Sequence, residues 1–209
     1  MRKVIITLTV LAVLLLLAAC ESGGKFRVVN RTSFPLYATI GAQDEVTIPG
    51  GEEHTWEIST DKQHIFNPGV EKVVPVSIIG ETYHTYDEGE ESYTDSTTVT
   101  IKVGQTLSAY ISPNRASFKV VNNSSQGVQR VLLYKHNFVA ASFVEDLGSL
   151  TPGEMKFLRV DYATANNNFY YYATVEMADN TVLTYGGDTT ILEKDQQFLI
   201  TLTDPEEIL

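Results

Sequence analysis

Four histidines, one acidic run and two groups of tyrosines are where this chain concentrates side chains able to do chemistry. His54, His64, His84 and His136 are spread along the sequence. None stands in an H-E-x-x-H pattern or at a short spacing that lets two imidazoles share a metal ion. Strand-borne, half-buried histidine is the plainer reading. No G-x-S-x-G elbow presents a serine to a base. The single cysteine, Cys20, ends an apolar run rather than lying beside a histidine. Gly186-Gly187 reads as a turn pair, not a phosphate loop. A non-enzymatic protein without cofactor is therefore expected, with a hydrolase of unfamiliar pattern as the remaining catalytic reading.

The acidic run is Asp87-Glu88-Gly89-Glu90-Glu91, followed by Asp95. Oxygen ligands around a glycine are the raw material of a Ca²⁺ loop. Here the alternate-residue spacing and the closing glutamate are missing. A solvated hairpin tip is the better reading, and Asp87, Glu88, Glu90 and Glu91 stand only as the one candidate cation cluster. Tyr83, Tyr86 and Tyr93 flank that tip, and Phe169-Tyr170-Tyr171-Tyr172 forms a second aromatic group. Strand side chains alternate between faces. Tyr170 and Tyr172 therefore share one face, and Phe169 and Tyr171 share the other. One pair belongs to a core. The other covers an outer face, where tyrosine beside acids suits glycan rings and hydroxyls or a protein partner. Trp56, the one tryptophan, reads as core.

These residues must be positioned by strands. After Cys20 the chain is a series of short Val-, Ile-, Thr-, Tyr- and Phe-rich runs broken by Gly, Pro, Asn and Asp. Strands are expected near 25–30, 35–41, 45–48, 53–59, 72–79, 82–86, 97–103 and 106–111. A second set is expected near 117–122, 128–135, 138–144, 154–161, 169–177, 181–185, 189–193 and 196–202. The two sets share a pattern. Phe26-Arg27-Val28-Val29-Asn30 matches Phe118-Lys119-Val120-Val121-Asn122 at an offset of 92. Leu107, Ala109 and Ile111 match Phe198, Ile200 and Leu202 at an offset of 91. Pro49-Gly50-Gly51-Glu52 matches Pro152-Gly153-Glu154, and Asp95-Ser96-Thr97-Thr98-Val99 matches Asp188-Thr189-Thr190-Ile191. A period this long is the size of a β-sandwich, not of a solenoid repeat. The expected fold is all-β: two tandem antiparallel, immunoglobulin-like β-sandwich domains over 26–112 and 117–204. Ser112-Pro113-Asn114-Arg115 lies between them. So short a linker implies copies that pack together.

Upstream, residues 1–19 have the layout of a secretory signal: Arg2 and Lys3, an apolar stretch from Val4 to Leu17, then small residues. The apolar run is shorter than the roughly 20 residues that span a bilayer. Leu17-Ala18-Ala19-Cys20 resembles the lipobox of bacterial lipoproteins. That resemblance implies cleavage before Cys20, a diacylglycerol on its thiol and acylation of the new amine. Cys20 becomes the lipidated residue, and 20–25 a short tether to the membrane. The family's sorting rule, by which an aspartate after the cysteine retains a lipoprotein in the inner membrane, makes Glu21 favour the outer membrane, with the protein periplasmic or surface-exposed. With no second cysteine, the chain cannot form an internal disulfide.

The formal charge is −11, and loss of Arg2 and Lys3 would leave 13 positive against 26 negative side chains, or −13. Nucleic acid is a poor partner for such a surface. The sequence thus points to a lipid-anchored, non-enzymatic envelope protein that binds or assembles with a protein partner. A glycan-binding lipoprotein using Tyr83, Tyr86, Tyr93, Tyr170 and Tyr172 is the alternative.

Overall fold

The structure, a computed structural model, describes residues 23–60, 69–87, 90–137 and 139–204. The signal segment, Cys20, His64 and Glu88 lie outside the described residues. Sixteen strands are present in that part. Copy one holds β1 (Gly24–Asn30), β2 (Leu36–Ile40), β3 (Val46–Ile48), β4 (Glu53–Ile58), β5 (Glu71–Gly80), β6 (Thr85–Asp87), β7 (Ser92–Thr94), β8 (Ser96–Lys102) and β9 (Thr106–Ile111). Copy two holds β10 (Ala116–Asn122), β11 (Val128–His136), β12 (Ala141–Asp146), β13 (Met155–Val160), β14 (Tyr170–Met177), β15 (Val182–Gly186) and β16 (Gln197–Leu202).

Each copy packs a three-stranded sheet on a four-stranded one. The orders are β4-β1-β9 and β3-β2-β5-β8 in copy one, and β13-β10-β16 and β12-β11-β14-β15 in copy two. The alternation of the sequence becomes the burial pattern directly. β2 reads buried, half-buried, buried along Leu36, Tyr37 and Ala38, and β14 continues the same way to Met177. Two separate cores result. Phe26, Val28 and Trp56 meet Leu36, Ile40, Val76 and Ile101 in copy one. Phe118, Val120 and Ile200 meet Leu133, Tyr171 and Val175 in copy two. The all-β sandwich expected from the sequence is what forms.

Not every pairing is antiparallel. The first strand of each copy runs parallel to the last, β1 with β9 and β10 with β16. The chain therefore enters each sandwich at one end and leaves at the other. That polarity is what lets copy two continue beyond copy one, end to end. Alternation is the same in parallel and antiparallel strands, so no residue pattern announces it.

The registers repeat. Phe26 stands between Trp56 and Leu107, and Phe118 stands between Leu158 and Phe198. Glu52 and Glu154 accept the amides of Asn30 and Asn122 through their carbonyls. Gly51 and Gly153 precede them with φ of 79° and 81°, a left-handed turn position that suits glycine. A buried asparagine ties each corner. The Asn30 Nδ2 donates to the carbonyls of Phe34, Ile48 and Pro49, and its Oδ1 accepts from Thr32. Asn122 repeats this with Gln126, Leu150 and Ser124.

Three expectations differ. The strand expected at 82–86 is only Thr85–Asp87, because the chain bends at Glu81 and Thr82 to enter the contact between the copies. The strand expected at 189–193 does not form. Gly186 and Gly187, at φ of 79° and 136°, turn the chain off the sheet, where Gly187 N–H donates to the Tyr171 carbonyl. The match of Asp95–Val99 to Asp188–Ile191 is therefore not structural. β8 lies beside β5, and β15 takes the corresponding place beside β14.

Candidate functional site

The outer face of the copy-two four-stranded sheet carries an aromatic array. Tyr170 and Tyr172 on β14 point outward, while Phe169 and Tyr171 are buried in the core. Tyr171 donates its hydroxyl to the Asp161 carbonyl at 2.9 Å, and burial pushes its acidity well below that of ordinary tyrosine. Across the ladder, Tyr134 on β11 pairs with Tyr172 and His136 pairs with Tyr170. The Tyr134 and Tyr172 rings are 4.9 Å apart and 10° from parallel, and the His136 and Tyr170 rings are 4.9 Å apart at 18°. That spacing is about the distance between neighbouring strands, ~4.8 Å. The rings therefore stand upright side by side, facing one another and turning edges and hydroxyls outward. Phe143 on β12 packs against Tyr134 at 72° and is 58% exposed. Alternation alone placed Tyr170 and Tyr172 together. Tyr134, His136 and Phe143 join them through cross-strand register, which was not foreseen from the sequence.

The tyrosines of copy one are placed differently. Tyr83 is half-buried against the copy-one core. Tyr86 and Tyr93 pair across the β6–β7 hairpin, 5.2 Å apart. Tyr93 also stacks on His84 at 4.9 Å and lies under the Arg115 guanidinium at 4.4 Å. Its ring is engaged by the protein itself. Among the acids, Asp87 caps the Glu90 amide at 3.2 Å, and Glu91 takes a left-handed φ of 51°. Among the described residues no group of three or more His, Cys, Asp or Glu is arranged to hold a metal ion. His54 packs edge-on against Trp56.

The densest chemistry lies where the copies meet; apart from Asp95 and His84, its residues are ones the sequence did not single out. Glu81, in the bend after β5, is 0% exposed. Its carboxylate accepts from Lys119 Nζ at 2.7 Å, Gln197 Nε2 at 2.5 Å and the Tyr37 hydroxyl at 3.0 Å. Burial, reinforced by this carboxylate, raises the Tyr37 pKa to about 12. Arg159 donates through Nε to the Gly80 carbonyl at 2.7 Å and through Nη1 to Asp95 Oδ2 at 3.2 Å, with its Nη2 in ion-pair contact with Asp95 Oδ1 at 2.9 Å. Asp195 accepts from Ser33 N–H and Oγ at 2.9 and 2.8 Å and from Thr82 Oγ1 at 2.6 Å. Asn114 and Arg115 amides donate to the Thr82 carbonyl, and Tyr37 stacks on Phe157. Asp195 sits at φ 65°, in the turn position that Gly104 fills in copy one at φ 70°. A non-glycine residue there costs of order 1 kcal/mol, which its three inter-copy bonds offset. His84 lies in the same joint, its Nε2 3.9 Å from Asp95. Desolvation, then the nearby Arg159, lowers its pKa. This arrangement is a clamp.

No family model matches the chain, and no curated protein is similar to it. Some solved structures resemble it in shape. The Bacillus anthracis TIE protein is 10% identical, with 88% of this chain and 34% of that chain covered and a TM-score of 0.30. A candidate cell adhesion protein from Bacteroides ovatus is 8% identical, with 88% and 91% covered and a TM-score of 0.35. The major pilin from Streptococcus pyogenes is 12% identical, with 88% and 98% covered and a TM-score of 0.23. The chain spans about a third of the length of the TIE protein chain. At these scores the resemblances do not bear on what the chain does.

Proposed function

We propose that this chain is a non-enzymatic, lipid-anchored protein of the bacterial cell envelope that holds a protein partner on the outer sheet face of copy two. The carrying observation is the upright aromatic array of Tyr134, Tyr172 and Phe143. Stacked tyrosines in fixed rotamers lose little entropy on binding and offer both apolar edge and hydroxyl, the character of protein-binding hot spots. A glycan stacks on an open ring face, and in this array Tyr134 and Tyr172 turn faces toward each other. The anchor belongs to the reading. Lipid on Cys20 would tether the Gly23 end of copy one, and the joint would carry the aromatic face outward on a stiff support.

Two measurements test this. Intact cells carrying the wild type or Cys20→Ala are separated into membrane and soluble fractions. Retention of Cys20→Ala in the membrane, uncut, overturns the lipid anchor. Separately, Tyr172→Ala and Tyr134→Ala are compared with wild type in cross-linked complexes from the envelope. Each truncation should weaken a specific protein complex by about 2 kcal/mol, or roughly thirty-fold. Unchanged complexes, with glycan retention that the same substitutions abolish, would move the function to sugar recognition.

A further inference from the structure

The internal repeat allows the joint to be compared with the two ends where it is not made. By register, the receiving residues Lys119, Arg159, Asp195 and Gln197 correspond to Arg27, Glu57, Gly104 and Thr106 in copy one. Of these, Glu57, Gly104 and Thr106 line, with Gly23 and Lys25, a cavity of about 350 Å³ at the free end of copy one. The inserting residues Ser33, Gly80, Glu81 and Thr82 correspond to Ser125, Met177, Ala178 and Asp179 at the free end of copy two.

Each clasp of the joint has lost a member at these ends. Were the two free ends docked, Arg27 and Thr106 would meet Ala178 where Lys119 and Gln197 meet Glu81. Arg159 becomes Glu57, which is paired to Lys25 at 3.2 Å. Its acceptor Asp95 has no counterpart, because a four-residue turn replaces the β6–β7 segment in copy two. Asp195 becomes Gly104. The Ser125 corner is nevertheless filled: Asp204 of the same copy accepts from its N–H at 2.8 and 3.0 Å and from its Oγ at 3.0 Å. Asp204 thus does for Ser125 what Asp195 of the other copy does for Ser33.

We infer that Asp204 is an intramolecular cap which, with Glu57 and Gly104, blocks head-to-tail docking of a second copy of this chain. The joint is heterologous, with different surfaces meeting, and such a contact grows without closing if it repeats between molecules. Charge works the same way as shape, because Glu57 would face the Met177 carbonyl where Arg159 meets Gly80. Removing the cap and restoring the clasps should reopen the interface.

Sedimentation equilibrium of the chain from Glu21 onward, which contains every described strand, reads this directly. Wild type is expected at the mass of one chain at every concentration. The variant Glu57→Arg/Gly104→Asp/Ala178→Glu/Asp204→Ala is expected to raise the weight-average mass about two-fold or more as concentration rises. A folded variant that stays at one-chain mass overturns the inference. So does wild type that self-associates through a contact abolished by Gly104→Trp. Asp204→Ala alone touches only an exposed residue and tests the cap separately. Hydrogen exchange at the Ser125 amide should accelerate about tenfold or more, and unchanged exchange refutes the cap.

Discussion

Replacing Lys119 with methionine should break the joint while leaving both cores intact. Glu81 is 0% exposed, and among the described residues Lys119 is the one cation paired with it, at 2.7 Å. Methionine keeps the stem that packs on the sheet and deletes the ammonium. Removing one member of a buried ion pair costs about 3–5 kcal/mol, because the remaining charge is left in a medium that solvates it poorly. Tyr37 and Gln197 still donate to Glu81, which places the expected cost near the lower end, about 3 kcal/mol, or more than a hundredfold in the docking equilibrium. None of the inter-copy bonds belongs to either core, so the loss falls on the coupling between copies. Urea unfolding followed by intrinsic fluorescence separates the copies, since Trp56 reports on copy one alone, while copy two has no tryptophan and contributes six of the eleven tyrosines to the tyrosine signal. Wild type should unfold with coincident tryptophan and tyrosine transitions, and Lys119→Met should split them. Adding Glu81→Gln should recover at least half of the loss, because the orphaned charge disappears. A cost below about 1 kcal/mol, or no recovery in the double variant, would refute the claim that a buried ion pair couples the copies.

Asp195→Gly should relax the turn backbone yet weaken the joint, and rotational correlation times should fall toward those of two separately tumbling modules. Asn30→Ala and Asn122→Ala each leave buried carbonyls without donors, and each should cost about 2–4 kcal/mol in the thermal melt of its own copy. For His84, whose folded pKa lies below the ordinary value of 6.5, the neutral ring is the form that the joint favours. Its stabilising contribution is full above that ordinary value and is lost as pH falls through the lowered folded value. The urea midpoint of wild type should therefore drop between pH 7 and pH 5 more steeply than that of His84→Gln. Phe118→Ala opens a cavity in a core where that ring is fully buried, and a loss of about 3–5 kcal/mol is expected by calorimetry.

Much of the architecture was written in the sequence. Period-two alternation and turn residues gave the strands, because burial on one face of a pleated sheet selects side chains two at a time. The 92-residue offset between Phe26 and Phe118, and the 91-residue offset between Leu107 and Phe198, survive as identical ladder registers. That Tyr170 and Tyr172 share one face followed from alternation alone; that this face is the outer one came from the packing of β14. What tertiary structure decided were the contacts between strands distant in sequence. The parallel pairing of β1 with β9 has no residue signature. Tyr134 meets Tyr172, and Phe143 meets Tyr134, only through register. Nothing in the local sequence marks Glu81 or Asp195, since a charged residue in a turn normally faces water. Docking the copies end to end removed that water and supplied Lys119, Gln197, Ser33 and Thr82 instead. Burial of a charge is a property of the assembled surface, and no local pattern in the chain encodes it.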